Sequence, residues 1–443
     1  MTSNEKDEIY EVLHDFAPLK YFYPWSGPMP VVYAAGEPYE MGYQEGVQAK
    51  AIDPNMVKWF ADSEQERWGW KKCMKKYNLT RTEIIEHMKE LWDEVIKRDL
   101  GEEIANDFFN EMKGFADGYG NPHVDIWDVM MINVGYTLCD GFPSWLDWKL
   151  NLKPKSSLEV FGDGCSAFAA WGKATNNGRI IVAHNDDGWS YPLWFMYLLV
   201  AAPEKGHSFA GAVWPGALMY RPAMNDAGLW ISSNSCEQSK EQPKKFQLPV
   251  FSIRDRWIIQ YSDDTTDAFE KYKGQMACWR SIIGSVMIAD PKQVIAFSGA
   301  NDYHYAVWSH LDDYIVQTNH VVPERLHSRL IPRQYEASVW RYDALCKLIS
   351  SSYYGDIDEK VAAQIMGSHF DIKAGTINQI PQNVGICRHV HNHPHGNTAD
   401  THIAIPEDRI LYVSMGSPCT ATWVKVRIGS KEEITDKAKK ATK

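Results

Sequence analysis

One predicted β-hairpin near the middle of the chain limits its fold more than any other feature. Residues 166–171 are small or apolar, and residues 180–182 form a second apolar run. Between them, residues 176–178 read Asn-Asn-Gly, and Asn-Gly is a strong hairpin signal because both turn positions need positive φ. The pattern therefore predicts two antiparallel strands, the first of which begins at or near Cys165.

The register of this hairpin decides what lies beside Cys165. A two-residue turn at Asn176-Asn177 would pair Cys165 with Gly188, and a turn at Asn177-Gly178 would pair it with Ser190. In both registers the thiol lies close to residues 185–187, Asn-Asp-Asp. A nucleophile, an amide and two carboxylates are then brought together by local geometry.

The Gly164-Cys165 junction suggests self-cleavage. Glycine has no side chain to hinder attack on its carbonyl and tolerates strained backbone. Attack by the Cys165 thiol would shift the chain to a thioester, and hydrolysis would leave Cys165 as a new N-terminus. Its α-amine would have a pKa of about 8, which suits a general base. The alternative is that Cys165 is a buried core thiol, since free cysteines are among the most buried residues.

Composition excludes several classes of partner. The 443 residues carry a formal net charge of −11, which argues against binding to nucleic acid or to an anionic membrane surface. The sequence has no apolar run of the roughly 18–20 residues that a membrane span needs. The eight cysteines have no close spacing, and the polar start of the chain shows no signal peptide. We therefore expect a cytoplasmic protein with reduced thiols.

The organisation along the chain is that of an α+β protein. The first 145 residues are mostly helical by pattern, after a short strand at 30–35. Residues 146–161 are expected to be an exposed connector, and from residue 162 onward strands dominate. The Lys- and Glu-rich tail from Lys431 is expected to fray at the surface.

Aromatic residues follow the Asn-Asp-Asp run directly. Trp189, Tyr191 and Trp194 are predicted to wall an apolar substrate pocket near the thiol, together with Trp214 in a Trp-Pro-Gly turn. Simple core packing of these rings is the alternative.

Several short motifs, taken together in order, resemble the peptidase C45 family of N-terminal nucleophile hydrolases. The resemblance covers residues 30 to 428, and its pieces are Gly36…Tyr39-Glu40-Met41-Gly42…Gln44…Gly46, Gly114-Phe115-Ala116-Asp117-Gly118, Gly164-Cys165, Asn185-Asp186-Asp187, Met224-Asn225-Asp226-Ala227-Gly228-Leu229, Ser232-Ser233-Asn234, Thr318-Asn319-His320, Ser338-Val339-Trp340-Arg341, Arg388-His389 and Met415-Gly416-Ser417-Pro418-Cys419. The Gly-Cys-Ser start departs from the Gly-Cys-Thr of the family's reference member.

The resemblance implies a four-layer αββα sandwich with a helical N-terminal segment. It also implies cleavage into a small subunit, 1–164, and a large catalytic subunit, 165–443, that stay associated. Homo-oligomerisation of the associated subunits is left open.

By the same resemblance, each site residue has an expected role. Cys165 is the nucleophile, Asp187 orients the new α-amine, and Asn234 donates to the oxyanion. Arg341 is carried over as a further catalytic residue, with Arg329 as its competitor. Asn185 is included because it belongs to the same strand end as Asp187.

The expected activity is hydrolysis of a small linear amide or N-acyl compound through an acyl-thioester on Cys165. An acyl-coenzyme A-dependent N-acyltransferase of the same family is the first alternative. A binding or scaffold protein that lost catalysis is also considered, but the intact Gly164-Cys165 pair argues against it.

A histidine-rich run offers a different chemistry. His389, His391, His393 and His395 alternate, with Asp400 and His402 close behind, so a metal-dependent hydrolase is the second alternative. Pro394 and Gly396 indicate that this strand ends in a turn. The sequence prediction is therefore no metal and no cofactor.

Overall fold

The computed structural model describes residues 10–13, 28–62, 69–135, 142–150, 164–188, 196–219, 222–238, 251–273, 282–301, 304–308, 313–330, 336–377, 385–389 and 397–442. Within them, helices dominate up to residue 149 and strands dominate from Cys165, which confirms the predicted α+β organisation. None of the helices in these ranges is long and apolar enough to cross a membrane.

The strands are β1 (Tyr10–Leu13), β2 (Val31–Gly36), β3 (Cys165–Gly172), β4 (Gly178–Gly188), β5 (Tyr197–Pro203), β6 (Phe209–Val213), β7 (Ala223–Asn225), β8 (Trp230–Gln238), β9 (Ile282–Ala289), β10 (Val294–Asn301), β11 (His304–Trp308), β12 (Tyr314–Gln317), β13 (Phe370–Asp371), β14 (Thr376–Ile377), β15 (Asn397–Ile405), β16 (Ile410–Met415) and β17 (Trp423–Arg427).

The α-helices are α1 (Pro38–Ile52), α2 (Met56–Asp62), α3 (Trp70–Tyr77), α4 (Arg81–Leu91), α5 (Lys97–Leu100), α6 (Glu102–Tyr119), α7 (Ile126–Gly135), α8 (Phe142–Lys149), α9 (Phe251–Tyr261), α10 (Thr265–Lys273), α11 (Glu336–Lys347), α12 (Glu359–Met366) and α13 (Lys431–Ala441). A π-helical turn, Trp92–Ile96, joins α4 to α5, another, Leu348–Ser352, follows α11, and Glu324–Arg329 is 3-10 helical.

Two large sheets form the centre of the molecule. The first has the strand order β1-β17-β16-β15-β4-β3-β12, and the second has the order β11-β10-β9-β8-β7-β6-β5-β2. Within both sheets the paired strands are antiparallel, except that β2 runs parallel to β5.

The alternation of side chains along β3 shows how the layers stack. Ala167 and Ala169 pack into a core shared with the second sheet, whereas Phe168 and Ala170 pack into a separate core with α11 and α12. Successive side chains of a strand point to opposite faces, so the first sheet lies between the second sheet and these helices. Helices α1, α6, α9 and α10 share the larger core with the second sheet. The arrangement is the predicted αββα sandwich.

The predicted hairpin forms, but its register differs from both predicted ones. Cys165 pairs with Asp186, and the strands end at Gly172 and Gly178, so residues 173–177 form a five-residue loop. A register irregularity between Ala170 and Gly172 takes up the extra length. Gly172 and Gly178 both have positive φ. Glycine adopts this conformation without steric strain, so the chain can reverse sharply at both ends of the five-residue loop.

The prediction of a frayed tail is wrong, and the predicted exposed connector is wrong for its first residues, 146–149. The tail from Lys431 is helix α13, which begins with a capping box between Ser430 and Glu433 and buries Ile434 and Ala438 completely. The expected connector at 146–161 begins as helix α8, in which Trp145 and Leu146 are buried; its later part, 151–161, lies outside the described residues. In α13, Ile434 and Ala438 lie four residues apart on one face of the helix, and their burial outweighs the charged composition.

Helices α1 and α6 pack with their backbones in contact. A Cβ added at Gly42 or Gly46 would overlap the α6 backbone at Glu111 or Phe115, and one added at Gly114 would overlap the Tyr39 carbonyl of α1. These glycines belong to the motifs quoted for the family resemblance. Glycine is needed at these positions for a steric reason, because only glycine lets the two helix backbones approach so closely.

Gly114→Ala should therefore destabilise the protein, even though alanine favours helix by about 1 kcal/mol. Separating the two helices should lower the free energy of unfolding by at least about 2 kcal/mol, measured by urea denaturation. Asn110→Ala, at an exposed position of the same helix, is the control and should change it little. Equal stability of the Gly114→Ala and wild-type proteins would contradict the packing.

Candidate active site

Cys165 is the first residue of β3 in the first sheet, and only 4% of its surface is exposed. Its neighbour across the pair is Asp186, and its Sγ lies 3.6 Å from Asp186 Oδ1. A carboxylate at this distance is a hydrogen-bond acceptor for a thiol and a candidate acceptor for its proton.

Gly164 is held in a space that admits no side chain. A Cβ at this position would lie 2.5 Å from Arg388 Nη1, 2.8 Å from Asp187 Oδ2 and 3.0 Å from Arg341 Nη2. Three charged groups thus surround the residue before Cys165. The need for glycine here follows from this crowding.

Both polar atoms of the Gly164–Cys165 peptide group have defined partners. The Gly164 carbonyl accepts a 2.7 Å hydrogen bond from the Asp187 backbone N–H. The Cys165 N–H donates a 2.7 Å hydrogen bond to Asn319 Oδ1. The structure therefore fixes the peptide unit from both sides, next to the thiol that follows it.

The orientation of the Asn319 amide is set by its other contacts. Its Oδ1 also accepts from Arg341 Nη2 at 2.7 Å, and its Nδ2 donates to the Ser235 carbonyl at 2.9 Å. A flipped amide would place its NH2 against two donors, so the oxygen must face Cys165. Arg341 also donates to the Cys165 carbonyl and to Ser166 Oγ.

Asp187 carries the buried negative charge of this group. Its Oδ1 accepts from Thr398 Oγ1 at 2.7 Å, and its Oδ2 lies 3.8 Å from Arg388 Nη1 and 3.9 Å from Arg341 Nη1. Burial raises the pKa of Asp187 to about 6, although the guanidiniums of Arg388 and Arg341 favour its ionised form. Asp187 therefore changes charge near neutral pH.

The face of the first sheet that meets the second sheet carries a row of polar side chains. Cys165, Asp186 and Asp400 lie side by side on β3, β4 and β15, because Asp186 pairs with both of the others. His402 pairs with His184 in the next row, and its Nε2 lies 2.8 Å from Asp400 Oδ1. Cys165 thus shares a row with two carboxylates, and two imidazoles lie in the next row.

The site residues expected from the sequence do not all surround the thiol. Asn185 points to the other face of the sheet, where its Nδ2 donates to the carbonyls of Met366 and Ile386. Asn234 lies between the sheets, with its Oδ1 3.1 Å from His184 Nε2 and its Nδ2 donating to the Gln317 carbonyl. Both amides are therefore engaged in holding elements together.

Arg341, one of the two arginines named, reaches Cys165 from α11, whereas Arg329 ends the 3-10 helix Glu324–Arg329. Trp214, the fourth predicted pocket residue, is part of the large hydrophobic core. Trp189, Tyr191 and Trp194 lie outside the described residues.

Sequence reasoning assigns no role to three residues of the site. Asn319 and Arg388 occur only in motifs quoted for the family resemblance, and Asp186 is expected near the thiol without a role of its own. Asn319 lies 154 positions from Cys165, so no local spacing could reveal their contact. Strand alternation could have revealed the position of Asp186. Asp186 lies on the same face of β4 as Gly188, which one of the predicted registers pairs with Cys165.

The comparison with protein families supports the resemblance. Residues 173–368 match the family model described as acyl-coenzyme A:6-aminopenicillanic acid acyl-transferase. This match confirms the resemblance inferred from the motifs. The matched span contains Asp187, Asn234, Asn319 and Arg341, and Cys165 precedes it.

A curated relative and several solved structures are also similar. An uncharacterized protein from Archaeoglobus fulgidus is 26% identical over 377 residues, which is 76% of this chain; the chain spans 57% of that relative's length. The N-acylethanolamine-hydrolyzing acid amidase ortholog of Caenorhabditis elegans is 13% identical, with 55% of this chain and 93% of that chain covered and a TM-score of 0.36.

Penicillin V acylase from Agrobacterium tumefaciens is 11% identical, with 60% of this chain and 92% of that chain covered and a TM-score of 0.37.

The raised pKa of Asp187 predicts a pH dependence of stability. The folded protein holds this proton up to about pH 6, whereas the unfolded chain loses it near the ordinary value of 3.8. Between these values the folded state binds more protons, so Asp187 makes stability fall as pH rises. In a Cys165→Ala background, which lacks the thiol needed for the expected self-cleavage, Asp187→Asn should remove up to about 3 kcal/mol of this fall between pH 4 and 7.

Urea unfolding at half-unit pH steps measures this effect. Asp436→Asn, at an exposed position of α13, is the control and should keep the wild-type pH slope. A slope that is the same with and without the Asp187 carboxylate would show that its pKa is not raised.

Proposed function

We propose that the chain is a self-processing cysteine amidohydrolase that cleaves itself between Gly164 and Cys165 and then acts through the new N-terminal cysteine. The observation that carries the proposal is the peptide group between these residues, whose carbonyl oxygen and N–H are each bound by a group of the site. The match to an acyltransferase family supports it.

Self-cleavage begins with transfer of the Cys165 thiol proton, for which Asp186 is the candidate acceptor. The sulfur attacks the Gly164 carbonyl carbon, and negative charge develops on the oxygen that already accepts from the Asp187 N–H. The C–N bond then breaks, the Cys165 nitrogen takes up a proton and leaves as an amine, and a thioester remains. Water hydrolyses the thioester to the Gly164 carboxylate and the free thiol.

Substrate turnover repeats this chemistry on a bound amide. With the new α-amine of Cys165 as general base, the sulfur would attack the substrate carbonyl carbon, and the protonated α-amine would give the proton to the substrate nitrogen as the C–N bond breaks. The amine product leaves, and water hydrolyses the thioester to the free acid and the thiol. Asn319 Oδ1 accepts from this nitrogen before cleavage and would hold the amine afterwards. Departure of Gly164 frees the Asp187 N–H, which can then donate to the oxyanion of the substrate.

Asn234 is retained from the family resemblance as a second oxyanion donor, and using it this way requires its amide to leave the Gln317 carbonyl. Asp187 and Arg341 are proposed to set the charge environment of the new α-amine of Cys165. The arginine guanidinium also holds the Cys165 carbonyl in place. Asn185 is proposed to act indirectly, by anchoring the end of α12 to β4.

The proposed substrate is a small linear amide or N-acyl compound with an apolar or aromatic part. The support is the aromatic run that follows Asp187 in the sequence, at positions 189, 191 and 194. Hydrolysis requires only that water reach the thioester. Transfer of the acyl group from coenzyme A to an amine is the second candidate, and the matched family favours it by description.

The purified protein should consist of two chains, 1–164 and 165–443. Intact-mass measurement on freshly purified protein would detect them. Cys165→Ala should remain one chain, because no nucleophile is left, and Cys165→Ser should cleave slowly, if at all. Gly164→Ala should also stay uncleaved, because its Cβ would displace Arg388 and Asp187.

Cys236→Ala is the matched control, since this buried thiol donates to backbone carbonyls near the site and should leave cleavage intact. A wild-type protein that turns over amides as a single uncleaved chain would overturn the proposed mechanism.

A panel of acyl-amides, with mass detection of acylated peptides, would identify the reaction. Hydrolysis predicts a transient acyl adduct on Cys165 from an amide, and none in Cys165→Ala. An adduct from acyl-coenzyme A and from no amide would favour the acyltransferase instead. An adduct on another residue, with Cys165 left free, would contradict both.

A further inference from the structure

We propose that the protein binds one zinc ion through His369, Cys387, His389 and Cys419, at a structural site separate from the nucleophile. One ligand atom from each of these residues lies within 4.8 Å of the others. The proposal is independent of the function proposed above.

The four side chains are close enough together to share a single tetrahedral ion. Ligand atoms at about 2.0–2.3 Å from zinc lie about 3.4–3.8 Å from one another. Here the two Sγ atoms are 3.5 Å apart, within this range, and His389 Nε2 lies slightly closer, 3.2 Å from Cys387 Sγ and 3.0 Å from Cys419 Sγ, so small side-chain shifts would admit the ion. The rings of His369 and His389 are nearly perpendicular, at 82°, with centroids 5.1 Å apart.

The chemistry of the four groups favours zinc. Two cysteines and two histidines form one of the usual donor sets of structural zinc sites, which are four-coordinate and closed to solvent. All four residues are at most 3% exposed. Two thiolates and a divalent cation have no net charge together, so the loaded site can be buried without an unbalanced charge.

The backbone is built to bring these residues together. The ligands come from three segments: the turn after α12, residues 385–389, and the loop between β16 and β17. The Cys387 N–H donates to the Ser368 carbonyl, next to His369. A Cβ on Gly367 would lie 3.4 Å from Cys419 Cα, and one on Gly385 would lie 3.4 Å from His369 Cα, so the segments cross closely.

The site differs from the metal site that the sequence suggested. His391, His393 and His395 lie outside the described residues, and Asp400 and His402 lie beside each other on β15, with Oδ1 and Nε2 2.8 Å apart. Only His389 belongs to both. Cys387-x-His389 is the sole local signal, because His369 and Cys419 are 18 and 32 positions from Cys387.

The ion would also act on the active site through Arg388. This arginine lies between two ligands in the sequence, and its guanidinium lies 3.8 Å from Asp187 Oδ2. Its backbone N–H donates to Thr398 Oγ1, which in turn donates to Asp187. A bound ion would fix residues 387–389 and so make Arg388 a positioning residue for Asp187. This consequence rests on the proposed function.

Metal content of the full-length protein tests the site. The protein is purified from zinc-supplemented medium and dialysed, and its metals are measured by inductively coupled plasma mass spectrometry. We expect about one zinc per chain. Cys387→Ser and Cys419→Ser should each lower zinc at least tenfold, whereas Cys73→Ala, at a buried thiol elsewhere, should retain it.

A second measurement covers the case in which a ligand variant does not fold. In the wild-type protein, Cys387 and Cys419 should resist alkylation until zinc is removed by a chelator, and added zinc should restore the protection. Cobalt substituted for zinc should give the absorption bands of a tetrahedral thiolate site. Folded protein without stoichiometric metal, iron as the bound metal, or a Cys387–Cys419 disulfide in peptide mapping would overturn the proposal.

The Cys165→Ala protein separates this proposal from the proposed function. It should bind as much zinc as the wild-type protein, because the ligands are distinct from the nucleophile. Cys387→Ser should slow self-cleavage at least tenfold if Arg388 is positioned by the ion. Zinc that is retained in an uncleaved wild-type protein would support the metal site while contradicting self-cleavage.

Discussion

One buried carboxylate between two guanidiniums holds the candidate site together. Asp187 on β4 faces Arg341 from α11 and Arg388 from residues 385–389, and its other oxygen binds Thr398 on β15. Burying any one of these charged groups alone would be energetically costly. Removing one of them would leave the others buried without an opposite charge. The three charged groups also leave no room for a side chain at position 164. The same electrostatic group thus joins four chain segments and dictates the residue before the candidate nucleophile.

The sequence predicts the hairpin and the residues near Cys165, although it misplaces the register. The observed pairing with Asp186 differs from the predicted Gly188 and Ser190 by two and four residues. Because side chains alternate with a period of two, an even shift keeps Cys165 on the same face. Turn chemistry alone misjudged the loop length, because the loop after Gly172 also contacts distant segments: the Lys173 N–H donates to Asp313 Oδ2, and Thr175 forms a β-bridge with Ile357.

Contacts between distant segments are the part that a single sequence does not encode locally. Asn319 and Arg388 reach the site from regions whose patterns indicate only strand ends and turns. The proposed zinc ligands also depend on contacts between distant segments. Three segments contribute the four residues, and only Cys387 and His389 are close to each other in the sequence. The family resemblance pointed to Arg341, whose guanidinium donates to the Cys165 carbonyl, but it gave no geometry. For Asn185 and Asn234, the structure shows amides engaged in linking layers, which local motifs could not distinguish from catalytic amides.

The strand β2 gives the proposed cleavage an unusual thermodynamic consequence. It precedes Cys165, yet it forms the edge of the second sheet beside β5, and the closely packed pair α1 and α6 belongs to the same preceding part. Cutting the chain at residue 164 would leave these contacts in place. Unfolding would then separate two molecules, and refolding would become a bimolecular search at a lower effective concentration. The persistence of the mature form would depend on how slowly it opens, so its lifetime would be set by an unfolding rate rather than by an equilibrium.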